Sequence, residues 1–302
     1  MRIKILIVAA VFLFAADVTA SECATNAKVV KPKLDIKTRA TFLAKKAAAE
    51  SRFRFNPENA EAMIWVGRRT AYLGEYKKAI EIYTNGIRKH PEDARFYRHR
   101  GHRYISIRCF DDAIKDFEKA AELFKGKPDQ VEPDGLPNAL NIPTSTLQSN
   151  TWYHLGLAHY LKGDFEKALT AYRSCLYVSK NPDMFVATAN WLYVTLRRLG
   201  KEEAASEMLD LIEDDLDIIE NDSYFDLLKL YKGDKTTAEL AGAKGDALSN
   251  ASVTYGLGNW ALINGNKKEA KVFFERVLSG TQWSSFGYIA SEAEMARLKT
   301  ED

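Results

Sequence analysis

Residues 149–182 read SNTWYHLGLAHYLKGDFEKALTAYRSCLYVSKNP, and the reading of this stretch decides the fold. Gly163 falls between two apolar runs, where glycine accepts the left-handed geometry that a helix C-terminus often adopts. Phe165 opens a second helix, and Ala168 sits where that helix must approach the first closely. A larger side chain at such a point would overpack the contact. Tyr172 and Cys175 follow at helical spacing on the same face. Gly156 is the small residue of the first helix, seven positions before the turn, with Trp152 just ahead of it. Pro182 stops helical continuation after the second helix.

Outward from this unit the same spacing returns. Gly-x-x-x-x-Ala occurs at Gly74/Ala79, Gly163/Ala168, Gly200/Ala205, Gly233/Ala238 and Gly265/Ala270, and a further copy ending at Ala113 has Arg108 in place of the glycine. Successive alanines are 34, 55, 37, 33 and 32 residues apart. A period near 34 is that of a helix–turn–helix unit stacked into a solenoid, and the outlier is one period plus an insertion. Small residues recur in the first helices at Gly67, Gly101 and Gly258. In Trp152, Leu155-Gly156, Gly163, Phe165, Ala168 and Tyr172 the chain resembles the tetratricopeptide repeat family. The resemblance implies an all-α fold, a right-handed α-solenoid of about six helix-turn-helix repeats with N- and C-terminal capping helices. Its organisation would be a leader at 1–20, an N-terminal segment and cap at 21–58, and repeats one and two at 59–127. A Pro-rich insertion at 128–148, repeats three to six at 149–284 and a cap at 285–302 would follow. Repeat five is the weakest copy, because Asp226 stands where the small residue belongs.

The first twenty residues read as an export leader, with Arg2 and Lys4, an apolar run from Ile5 to Ala16, and small residues at Val18-Thr19-Ala20. The run is shorter than the roughly 20 residues of a bilayer span, and no later run resembles it, so no membrane span is expected after cleavage. The expected location is the periplasm or the exterior. Glu22 stands where a lipidation motif needs a small residue, so Cys23 is not read as a lipid site. Cys23, Cys109 and Cys175 cannot all pair; an oxidising compartment permits one bridge, and Cys175 lies on a buried helix face. The closing segment from Trp283 to Leu298 resembles one found in exported bacterial repeat proteins.

The 302 residues carry 43 Lys+Arg against 41 Asp+Glu, a balance that gives no reason to expect nucleic acid. Charge is nevertheless segregated: Arg88 to Arg108 is basic and Glu202 to Asp226 acidic, and both are expected to be solvated outer faces. The insertion holds Pro128, Pro133, Pro137 and Pro143 and reads as a loop tolerated on one face of the array.

No serine-histidine-acid signature, phosphate-binding glycine loop, paired-cysteine motif or dinucleotide fingerprint occurs, so the chain is read as non-enzymatic and without a cofactor. A different class of reading, a metal-dependent accessory enzyme, would use His99 and His102, which are three residues apart on one helix face. A glycan-binding module would use Tyr153, Tyr160 and Tyr255. In the resembled family the first helices line a concave groove. Carried onto this sequence, the groove residues are Arg68, Arg98, His102, Tyr153, Tyr160, Asn190, Arg197, Tyr255 and Asn259. Arg and His beside Tyr and Asn suit a protein or peptide partner of acidic character. Ile64 and Arg68 occupy positions where chaperone-binding members carry a Lys/Asn carboxylate clamp, so that specificity is not expected.

Overall fold

The computed structural model describes residues 21–242 and 247–300; the leader read at residues 1–20 lies outside the described residues. A short α1 (Glu22–Asn26) and a long α2 (Ile36–Phe55) precede the array. Six helix pairs then follow, beginning with α3 (Ala60–Tyr72) and α4 (Tyr76–Lys89), then α5 (Ala94–Ser106) and α6 (Phe110–Phe124). The third pair is α7 (Leu147–Lys162) and α8 (Phe165–Val178), and the fourth is α9 (Pro182–Arg198) and α10 (Glu202–Asp210). The last two are α11 (Asp222–Lys232) with α12 (Thr237–Gly242), and α13 (Ala247–Ile263) with α14 (Lys267–Leu278). The chain closes on α15 (Phe286–Thr300). It is an all-helical repeat solenoid, as the period required.

Each pair forms because the sequence starts, turns and packs it locally. Side chains of Asn59, Asp93, Thr146 and Asn181 accept hydrogen bonds from the first-turn amides of α3, α5, α7 and α9. Gly163 ends α7 at φ 86°. Within four of the pairs, a Cβ built on the small residue of the first helix would fall on a ring of the second. The clashes are 2.3 Å for Gly67 with Tyr83, 2.9 Å for Gly101 with Phe117, and 2.6 Å both for Gly156 with Tyr172 and for Gly258 with Phe274. The alanines of the period, Ala79, Ala113, Ala168, Ala205 and Ala270, are almost fully buried. Ala238 is exposed, because repeat five is cut short: α12 has only six residues, and Asp226 pairs with Lys235 instead of admitting a ring.

First helices pack in succession, α3 on α5, α5 on α7 and α7 on α9, which makes them the inner row. Beyond repeat four the row tightens, since α13 also reaches α9 directly and α15 folds back onto α13, α14 and α7. The terminal helix therefore does more than cover the end. Its Glu294 is fully buried between Arg198 and Arg297, each 2.8 Å away, and Arg297 donates 3.0 Å to the Leu161 carbonyl of α7. Burial works to raise the Glu294 carboxyl, but the two guanidinia outweigh it and hold the group below its usual value. A cap at the end of an array calls for a polar side facing water, and here part of that side, Glu294, points inward.

The turn between α5 and α6 fastens both ends of the chain. Cys109 is bonded to Cys23, with Cα atoms 5.7 Å apart, and Cys175 is free and buried. Burial pushes the Cys175 thiol up to about 11. Next to Cys109, Arg108 takes the place of the usual glycine at φ 66°, a conformation that costs a side chain about 1–2 kcal/mol. Its guanidinium lies 3.7 Å from the centroid of Trp283, donates to the Trp283 carbonyl at 2.8 Å and pairs with Glu292 at 2.7 Å. These contacts offset the strain and tie the closing segment to repeat two. Replacing Arg108 by glycine relieves the backbone yet is expected to lower stability by about 1–2 kcal/mol, because the clamp is worth more than the strain. Urea unfolding measures this, and a stabilised Arg108→Gly protein would contradict it.

Candidate functional site

The inner row carries the nine groove residues, and the structure puts them to different uses. Arg98 is buried and pairs with Glu132 of the insertion at 2.9 Å. Tyr160, Tyr255 and Asn259 join repeats three and six directly: the Asn259 amide donates to Tyr160 at 2.8 Å and to Tyr255 at 3.1 Å. Burial pushes the Tyr160 hydroxyl up to about 12. Asn190 accepts from Tyr231 at 3.2 Å, and Arg197 pairs with Glu202 at 2.6 Å. These six side chains therefore hold the superhelix to itself. Arg68, His102 and Tyr153 remain on the walls of open space.

That inward packing also revises the expectation for charge. The acidic run does face solvent at Glu213, Asp214, Asp215 and Asp217. The basic run does so only at its start, at Arg88 and Lys89, while Arg98 and Arg100 are buried. Arg100 is 9 % exposed and clasps Asp116 through two hydrogen bonds of 2.8 and 2.7 Å, with a third of 3.0 Å to Thr84 of repeat one. Burial pushes Asp116 up to about 6 despite this partner. Arginine at periodic spacing is thus a core residue here, paired across repeats, rather than a solvated face.

The insertion likewise differs from a tolerated outer loop. It has no helix of its own, but one backbone bridge, Val131 to Thr146, pins its base. Gly135 accepts from Arg69 at 2.7 Å, Glu132 sits on Arg98, and Thr144 and Asn138 both donate to Glu220. Asn181 donates to the Thr144 carbonyl at 2.6 Å. The loop crosses the inner face from repeat one to repeat four.

What the loop leaves open is a cavity of about 530 Å3 at the centre of the molecule. Tyr72, Tyr76, Tyr153, Tyr224 and Phe286 give it an aromatic lining, with the His102 and His154 rings tilted against each other at 4.5 Å between centroids. A smaller space of about 100 Å3 adjoins it, walled by Arg68, Arg98, His99, Arg103 and Glu132. His99 and His102 face different partners. His99 stacks on Tyr83 at 5.7 Å and places Nδ1 3.1 Å from Arg98, whereas His102 meets His154 and Phe286. Among the described residues the one gathering of three ligating groups is Cys23, Cys109 and Asp112, whose sulfurs are consumed in the disulfide. The histidines named for the metal-dependent reading therefore stand in an arginine-rich wall, a setting hostile to a cation. The residues that the sequence reading overlooked at this site are Arg103, Asp134 and Glu220. Arg103 stood within the flagged basic run, whereas nothing in the sequence connects Asp134 with Glu220.

Comparison with known proteins places this geometry. The tetratricopeptide repeat model matches residues 149–182. The chain is similar to tetratricopeptide repeat proteins in this stretch and in its fold. Among solved structures, a tetratricopeptide repeat protein from Parabacteroides merdae superposes with a TM-score of 0.51 at 13 % identity, over 85 % of this chain and 93 % of that one. BBSome complex member BBS4 from Bos taurus is 28 % identical over 141 residues, covering 47 % of this chain and 23 % of its own. Hsp70-Hsp90 organizing protein 1 from Glycine max is 28 % identical over 138 residues, 46 % of this chain and 19 % of its own. The repeat protein described here thus spans less than a third of the length of these curated relatives. Tetratricopeptide repeat proteins typically serve as scaffolds for protein interaction.

Burial, reinforced by Arg98 or Arg103, lowers the affinity of His99, His102 and His154 for protons well below the ordinary imidazole value. All three rings are expected to stay neutral in the folded protein when pH falls from 8 to 5. Imidazole C–H shifts in NMR follow this, and ordinary titration midpoints near 6.5 would contradict it.

Proposed function

We propose that the chain is a non-enzymatic, exported scaffold whose protein partner docks at the N-terminal end of the array. The observation that carries this reading is the uncovered face of α2. Ile36 and Phe55 are 90 % and 94 % exposed, and Leu43 is also open to solvent. Ile36 and Phe55 stand at opposite ends of α2 with Leu43 between them, and large apolar side chains left open along one helix are characteristic of interaction surfaces. Beside them, α2 and α3 enclose a groove of about 870 Å3. Ala48 and Ala62 leave room in it, Phe55 and Trp65 give it aromatic walls, and Lys45 and Arg52 edge it. Neither of those cations makes an ion pair among the described residues. Such a groove suits an amphipathic helix with an acidic rim. The acidic character read from the inner-face arginines therefore belongs to this outer groove, since Arg98 and Arg197 are spent on the chain's own carboxylates.

Export is supported by the apolar leader and by the Cys23–Cys109 bond, which persists in oxidising compartments such as a periplasm or the exterior. Among the described residues no helix is long and apolar enough to cross a membrane. Neutral overall charge supports a protein partner over nucleic acid. Affinity capture from envelope extract tests the reading. A protein retained by the wild type is expected to be lost by the Phe55→Glu, Arg52→Glu double variant while circular dichroism is unchanged. Retention of the same proteins by the variant would remove the groove assignment.

A further inference from the structure

Four stretches that depart from the repeat pattern each send a residue to the same place. Leu34 of the N-terminal segment, Asp134 of the insertion, Glu220 from the connection before α11 and Phe286 at the start of α15 all line the central cavity. The repeats alone would leave an open trough there; the added segments narrow it to a half-open chamber. Segments that served only to fill space would meet in apolar contact, as protein interiors do. These instead line a half-open space of about 530 Å3, within the size range of small-ligand sites, and bring charges of both signs to its wall.

The two charges are unspent. Arg103 of α5 makes no ion pair and no side-chain hydrogen bond among the described residues, and its guanidinium only overlies the Tyr76 ring at 5.9 Å. Asp134 has an oxygen, Oδ2, that is shut off from water and has no hydrogen-bond partner. Burial and the neighbouring Glu220 push its carboxyl up to about 6, a strain that an adjacent cation would relieve. An unpaired guanidinium and an unpaired carboxylate share one chamber without forming a salt bridge to each other. Unmatched polar groups of this kind cost stability unless something completes them.

We propose that the chamber binds a small zwitterion, a free α-amino acid or a short peptide with both termini free. Its carboxylate would pair with Arg103 and its ammonium with Asp134 and Glu220, leaving the side chain against Tyr153 and Phe286. The chamber shares no lining residue with the α2–α3 groove, so the two readings stand or fall separately.

Purified full-length protein tests this against the free amino acids and the tripeptide Ala-Phe-Ala, first by thermal shift at about 5 mM ligand and then by calorimetry. At least one zwitterion is expected to raise the melting temperature and bind. N-acetylation or C-amidation of that ligand should each weaken it about tenfold or more. Arg103→Gln should weaken the free ligand and abolish the penalty of amidation; Asp134→Asn should weaken it and abolish the penalty of acetylation. Neither residue supports the fold through an ion pair, so both variants are expected to keep the wild-type circular dichroism spectrum. No binding by any probe, or binding indifferent to both caps and both variants, would overturn the proposal.

Discussion

The structure rests on the closeness with which two helices of a repeat can approach. At Gly67, Gly101, Gly156 and Gly258 the first helix offers no side chain, and a ring from the second helix occupies the space directly. Because the ring enters the same gap each time, each pair takes a similar crossing and the pairs stack into one array. The inner row follows from this stacking, and so does the place where everything outside the repeats must go. A trough lined by polar and aromatic side chains exposes groups that either meet water or find partners within the chain.

In this chain most of them find partners within. The insertion brings Glu132 to Arg98, the terminal helix brings Glu294 to Arg198, and repeat six brings Asn259 to Tyr160. These are buried or nearly buried polar contacts, whose value lies less in net stability than in the cost of losing one partner. They fix where the non-repeat segments lie. The Ile107–Cys109 turn completes the arrangement, since a disulfide on one side and the Arg108 clamp on the other hold the two ends of the chain to one point. Arginine in a left-handed turn is tolerated where its side chain has such work to do.

The repeat architecture was legible because it is written in local spacing: Gly163, Ala168 and Tyr172 act on neighbours within one turn or one helix pair. Gly233 gave a true turn but a false promise of a full repeat, because Asp226 had removed the contact that a second helix needs. The inner face was legible only in position. Sequence placed Arg98, Tyr160, Asn190 and Asn259 on the first helices, yet their partners are Glu132, Tyr255 and Tyr231, and no local rule ties these together. Arg100 shows the same limit, since a basic run gives no sign of an Asp116 waiting on the next helix. One signal could have been read further. Arg108 at a glycine position marks a strained turn, and strain of that kind points to a side chain held by something distant.

The insertion and the terminal helix form an inner layer, folded as firmly as the repeats that surround it. Hydrogen exchange followed by mass spectrometry on the intact protein tests it most directly. Amides of residues 286–298 should exchange as slowly as those of α7 and α13, in one cooperative opening. Exchange of that segment within seconds, while the repeats remain protected, would mean that the trough is empty and the account is wrong.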